Sequence, residues 1–163
     1  MATAVSGTIS QDQYFQPLRN LPVFIYRIGV HNLGVQVNPW SENHVTLYLL
    51  VGSGQSVRVD MRPRSGQPCT DLIGTLDLRG HSYTRSQGII QYVDVQACGH
   101  QAGFNPEGRR PLSTSRTRRV WEVIQLLQER GLHNYRFLDV NGSSLGCRYW
   151  MFVSLCGSIT SRR

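Results

Sequence analysis

Two apolar-rich runs, His44–Val51 and Gln55–Met61, are separated only by Gly52-Ser53-Gly54. Val45, Thr46, Tyr48 and Val51 in the first and Val57 and Val59 in the second are residue types that suit strands. The glycines between them accept the positive φ that a tight reversal needs. The pattern therefore predicts an antiparallel hairpin, and its register decides what the two strands can do together. With a three-residue loop over 52–54, Val51 pairs with Gln55 and Thr46 faces Asp60. His44 then lies diagonally from Asp60 on the same face, within cross-strand reach. A two-residue loop turns Asp60 to the other face, because side chains alternate along a strand.

The rest of the chain adds three further strand signals: Val23–Val30, Gly74–Arg79 and Ile89–Val95. Residues 99–112 carry Gly99, Gly103, Pro106, Gly108 and Pro111 and read as a linker. A helix is expected from a cap at Ser113 or Ser115 through Arg130. Val120, Ile124 and Leu127, with Val123 and Trp121 beside them, form its apolar stripe, and Gly131 stops it. His133–Val140 is read as a short strand or an extended approach to the Asn141-Gly142 turn. A second helix follows Cys147. Residues 1–20 are read as an irregular N-terminal arm and 21–163 as a single domain. The fold class is α+β, a mostly antiparallel sheet flanked by helices.

A chain of 163 residues buries a core without disulfides or metals. Cys69, Cys98, Cys147 and Cys156 are far apart, without a C-x-x-C pair, so neither a zinc site nor a disulfide framework is indicated. No basic-then-apolar leader opens the sequence, and no apolar run reaches the length of a membrane span. A cytoplasmic protein in a reducing compartment is expected. The net charge is +7, and all 17 basic residues are arginine. Arginine grips phosphate or carboxylate through a planar fork. Arg109, Arg110, Arg116, Arg118 and Arg119 cluster tightly enough to repel one another unless a polyanion such as RNA uses them. The competing explanation is an arginine-biased, solvated surface.

One cysteine has the surroundings of a nucleophile. Cys147 follows the turn-forming run Asn141–Gly146 and opens the apolar segment Arg148–Cys156. Free N–H groups and the helix dipole at such a start favour the thiolate. A buried free cysteine that only packs is the ordinary alternative. Cys156 lies in the apolar continuation and reads as structural, and neither Cys69 nor Cys98 has a helix start or a base nearby. His44 is the candidate base. His31, His81 and His100 read as exposed loop residues, and His133 falls on the wrong side of the segment approaching Cys147. Asp60 is the candidate partner for His44, as in a Cys–His–acid triad. Its other reading is a surface acid paired with Arg58 or Arg62.

A histidine opening one strand, an acid on the next and a late Gly146-Cys147-Arg148-Tyr149-Trp150 resemble a circularly permuted papain-like arrangement, with the cysteine helix last instead of first. The same features over 44–61 and 141–155 resemble small fungal proteins of uncharacterised domain type, a group taken to include the arginine-containing cyclodipeptide synthases of fungal biosynthetic clusters. That resemblance implies transfer of aminoacyl groups from charged tRNA, with diketopiperazine closure. It also implies Cys147, His44 and Asp60 as catalytic residues and the 109–119 arginines as holders of tRNA phosphates. No Rossmann or P-loop glycine signature is present, so no nucleotide cofactor or metal is expected. Two other functions compete: a papain-like cysteine hydrolase (peptidase, deamidase or thioesterase), and a non-enzymatic RNA- or protein-binding module.

Overall fold

The computed structural model describes residues 8–32, 43–63, 73–97, 117–140, 143–145, 150–151 and 153–154. Their centre is one six-stranded sheet. In chain order the elements are β1 (Thr8–Gln11), α1 (Phe15–Leu18), β2 (Ile25–Asn32), β3 (Asn43–Gly52), β4 (Gln55–Pro63), β5 (Gly74–His81), β6 (Ile89–Gln96) and α2 (Val120–Glu129). A 3₁₀ turn (Leu132–Asn134) and a small hairpin of β7 (Leu138–Val140) and β8 (Ser143–Leu145) follow. The sheet order is β1-β5-β4-β3-β2-β6, with β1 parallel to β5 and every other neighbour antiparallel. This is an α+β architecture. Residues 150–151 and 153–154 are helical, as expected downstream of Cys147.

Alternation makes the sheet two-sided. Val45, Leu47, Leu49, Val57, Val59, Met61, Leu76 and Leu78 line one face and are buried there. They join Phe15, Leu18, Val120, Val123, Ile124, Leu127, Trp150 and Met151 in the main core. The stripe predicted on α2 is therefore its buried face, while Trp121 instead lines a surface groove with Arg118, Glu122 and Leu126. The other face is polar apart from a patch of Tyr48, Leu50 and Ile89 with Ile25.

Residues 8–18 are not an irregular arm. β1 pairs with β5 from Thr8↔Thr75 to Gln11↔Leu78. Asp12 fixes the turn into α1: its Oδ1 accepts from the Phe15 N–H at 2.8 Å and the Gly80 N–H at 3.1 Å. The neighbours that order this segment lie nearly seventy residues away in sequence. The start of α2 also differs from expectation. Thr117 and Arg118 are non-helical, the helix begins at Val120, and Ser113 and Ser115 lie outside the described residues. The first N–H groups find backbone partners in place of a serine cap. Val120 donates to the Leu21 carbonyl and Trp121 to that of Arg19, each at 3.0 Å. The Glu122 carboxylate reaches back to the Arg119 N–H at 2.7 Å. The helix ends as predicted at Gly131, whose φ is 70°.

Gly80 packs directly under the Tyr14 carbonyl, closer than a Cβ can approach backbone. Gly80→Ala should push the β1–α1 segment off β5 and cost about 1–3 kcal/mol, the usual penalty of overpacking. Gly54→Asn stands in open space at positive φ, which asparagine tolerates, and should cost less. Urea midpoints of the two variants check this; equal midpoints would show that the Tyr14 contact does not constrain the fold.

Candidate functional site

The β3–β4 hairpin decides which side chains share the polar face. Its turn is Ser53-Gly54, with both residues at positive φ, and Gly52 pairs with Gln55. That is the two-residue connection which, alone, would send Asp60 to the core. The ladder then slips by one residue at Val51, so that Leu50 pairs with Ser56 and Leu47 with Val59. The bulge cancels the shorter turn. Continued by one pair, the register places Thr46 opposite Asp60, as a three-residue loop would have done.

The polar face is a grid of rows across β2, β3, β4 and β5. One row holds His31 and His44, then Arg62 and Thr75; the next holds Gly29 and Thr46, then Asp60 and Asp77. A third holds Arg27, Tyr48, Arg58 and Arg79. Gly29 leaves room in the second row: a Cβ there would strike the Ile89 side chain.

Asp60 is the hub. Its side chain is 1% exposed. Oδ1 meets His44 Nε2 at 2.6 Å, and Oδ2 accepts from Arg58 Nη2 and Arg62 Nε, each at 2.6 Å. Burial by itself would raise its pKa. The His44 hydrogen bond, the charges of His44 and Arg58 and the Arg62 hydrogen bond outweigh that and hold the carboxyl well below the usual range. Asp60 is thus an anion at any physiological pH, and its contact fixes the His44 ring by Nε2.

The structure brings His44 and Asp60 together, and with them Arg58 and Arg62. Cys147, Arg109, Arg110 and Arg116 lie outside the described residues, as do Cys69, Cys98, Cys156 and His100. Arg118 and Arg119 belong to the edge leading into α2: the Arg118 carbonyl accepts from the Val23 N–H, and Arg119 bridges Pro22. That places them beyond the Ile25 end of β2, whereas His44 pairs with His31 near its other end. At about 3.3 Å per residue the stretch from Ile25 to His31 alone spans roughly 20 Å, so the separation along the sheet is greater than that.

Two histidines read from sequence as loop residues are strand residues of this face. His31 Nε2 bonds Thr46 Oγ1 at 2.9 Å, and its ring lies 6.3 Å from that of His44. Burial, then the charges of Arg58 and His44, lower its pKa. His81 ends β5 with its ring stacked on Tyr83 at 4.5 Å. Its pKa is also lowered, by burial and then by Arg58. Asp77 and Arg79 were missed too. Period-two alternation in Gly74–His81 was the available signal, but it does not say which strand β5 joins. Among the described residues no group of histidine, cysteine and acidic side chains is arranged to hold a metal.

Residues 27–156 match the family model DUF7770, a domain of unknown function, and the chain belongs to that family. No curated protein and no solved structure matches it.

The charge network gives stability a definite pH dependence. The folded pKa of Asp60 lies below its unfolded value near 4, so its contribution is complete above about pH 4 and is lost as pH falls through that range. The folded pKa values of His31 and His81 lie below their unfolded ones, so the unfolded chain takes up their protons first as pH drops below about 6.5. Melting temperature should therefore fall in two stages on acidification. Asp60→Asn should remove the lower stage and destabilise at pH 7 by about 3–5 kcal/mol, because it strips a buried charge network of its anion. A variant with the wild-type melting profile from pH 3 to 7 would show that Asp60 is not the hub.

Proposed function

We propose that this DUF7770 chain is a Cys–His–Asp acyltransferase that takes aminoacyl groups from aminoacyl-tRNA and joins them into an arginine-containing cyclodipeptide. One observation carries the reading: the 2.6 Å contact of His44 Nε2 with the buried Asp60 carboxylate. A buried, permanently ionised acid on one ring nitrogen orients the imidazole and raises the basicity of the other, the standard support for a general base. In the proposed cycle His44 Nδ1 takes the Cys147 thiol proton. The thiolate attacks the ester carbonyl, and the ribose hydroxyl leaves with the proton returned from His44. The resulting thioester is then attacked by the amine of a second aminoacyl group; Cys147 is released, and closure of the second amide expels the second ribose.

Cys147 stands three residues before Trp150, and Trp150 is a fixed point. It is 1% exposed and its Nε1 donates to the Leu132 carbonyl at 2.8 Å. Trp150 packs with the apolar face of the sheet, whereas His44 lies on the polar face. The proposed mechanism needs the Cys147 thiol within reach of His44 on that polar face. Among the described residues no helix is long and apolar enough to cross a membrane.

The rate of Cys147 alkylation measures the pairing. If His44 and Cys147 form a thiolate–imidazolium pair, iodoacetamide should label Cys147 before Cys69, Cys98 and Cys156 at pH 6. His44→Ala should slow that labelling at least tenfold, because the thiol reverts to an ordinary pKa. Cys147→Ala should abolish cyclodipeptide formation from charged tRNA, and His44→Ala should cost about a hundredfold or more. An alkylation profile unchanged in His44→Ala would sink the triad. Release of free amino acid in place of cyclodipeptide would assign the site to a hydrolase.

A further inference from the structure

Beside the His44–Asp60 pair, the polar face holds more positive charge than its own carboxylates use. Arg58 and Arg79 stand directly opposite each other on β4 and β5, and so do Asp60 and Asp77. Like charges in directly opposed positions destabilise a sheet unless something offsets them. Asp60 offsets Arg58 and Arg62. Asp77 serves Arg79, with Arg79 Nε on its Oδ2 at 2.8 Å, and Arg62 Nε is 3.9 Å from the same oxygen. Three guanidinium groups thus surround two carboxylates, and those of Arg62 and Arg79 converge on one point from rows two steps apart.

How each arginine is used separates scaffold from site. Arg27 is spent: Nε and Nη2 bind both Asp94 oxygens at 2.7 Å, and Nη1 donates to the Thr84 carbonyl at 2.9 Å. Arg62 and Arg79 each commit only Nε. Their Nη groups have no partner among the described residues, and the side chains are 39% and 46% exposed. Arg58 Nε is buried and without a partner as well. Carboxylates therefore hold the inner edges of Arg62 and Arg79 at fixed angles, while their outer edges meet solvent.

We propose that the outer edges of Arg62 and Arg79 form a subsite for a phosphate group of the acyl donor. This rests on the acyl-transfer reading and names the part of the substrate held next to the reacting ester. Two forks set at an angle present more N–H donors than the two oxygens of a carboxylate can accept, and the terminal oxygens of a phosphate suit them better. Arg62 shares a row with His44, one strand or about 5 Å away, and Asp77 lies two strands and one row from His44, roughly 12 Å, so the subsite shares the polar face with the His44 imidazole. Arg118 and Arg119, at the opposite end of the sheet, cannot supply this contact.

The test is a titration of the full chain at constant ionic strength with inorganic phosphate, adenosine 5′-monophosphate, adenosine and acetate, followed by calorimetry and by the Arg Nε–H signals in NMR. Phosphate and the monophosphate should bind saturably and shift the Arg62 and Arg79 signals, with adenosine and acetate at least tenfold weaker. Arg79→Gln should weaken phosphate binding about tenfold, the worth of a charge-assisted hydrogen bond, and Arg79→Lys should fall between. Arg85→Gln, which removes an exposed arginine elsewhere on the face, should change nothing. An equal loss in Arg85→Gln, acetate binding as tight as phosphate, or no saturable binding would overturn the subsite. Cys147 acylation by a small aminoacyl ester separates the two readings. Acylation without Arg79-dependent phosphate binding removes only the subsite. Arg79-dependent binding without acylation removes the acyltransferase and leaves an anion site.

Discussion

Val51 bulges out of the β3–β4 ladder, and the side-chain layout of the whole sheet follows from that one slipped pair. A two-residue turn at Ser53-Gly54 suits the right-handed twist of a hairpin. Without the bulge it would have turned every β4 side chain over. Asp60, Arg58 and Arg62 would enter the core, and Val57, Val59 and Met61 would face water. The hydrophobic effect forbids that arrangement: those three apolar side chains are at most 1% exposed, and burying each is worth about 1.5–3 kcal/mol. Core burial and turn geometry demand different registers, and one bulged residue reconciles them.

Once Asp60 is held on the polar face at 1% exposure, its charge dictates its surroundings. A buried carboxylate is tolerated only when paired and hydrogen-bonded. His44, Arg58 and Arg62 occupy both of its oxygens. The chain of contacts runs on through Arg62 to Asp77 and Arg79. Such a network adds little net stability over an apolar packing of similar volume. What it supplies is position: carboxylates tie the imidazole of His44 and the Nε edges of Arg62 and Arg79 to the sheet.

The apolar face is closed by elements remote in sequence. The N–H groups that open α2 are taken by the carbonyls of Arg19 and Leu21, and the N–H of Val23 by the carbonyl of Arg118. Asp12 performs the matching task between α1 and Gly80. These long-range backbone contacts hold residues 8–23 against the domain. They also explain why a segment of mixed polar composition folds into regular structure.

Local patterns in the sequence determined the element types. Alternation marked the β3–β4 hairpin and strands β2, β5 and β6; the 3.6-residue stripe marked the buried side of α2, and Gly131 its end. They also put forward His44 and Asp60 as a pair, because a Gly-Ser-Gly reversal allows only two registers and one of them joins the two. Only the tertiary structure chose between those registers, since the choice lay in a bulge selected by core burial and not in the turn residues. It alone made regular structure of residues 8–18 and moved the start of α2 to Val120, because backbone carbonyls leave no trace in side-chain identity. It alone put His31, Asp77, Arg79 and His81 on one face with His44. Strand order is set by which apolar surfaces meet across long stretches of chain, and no local spacing of residues encodes it.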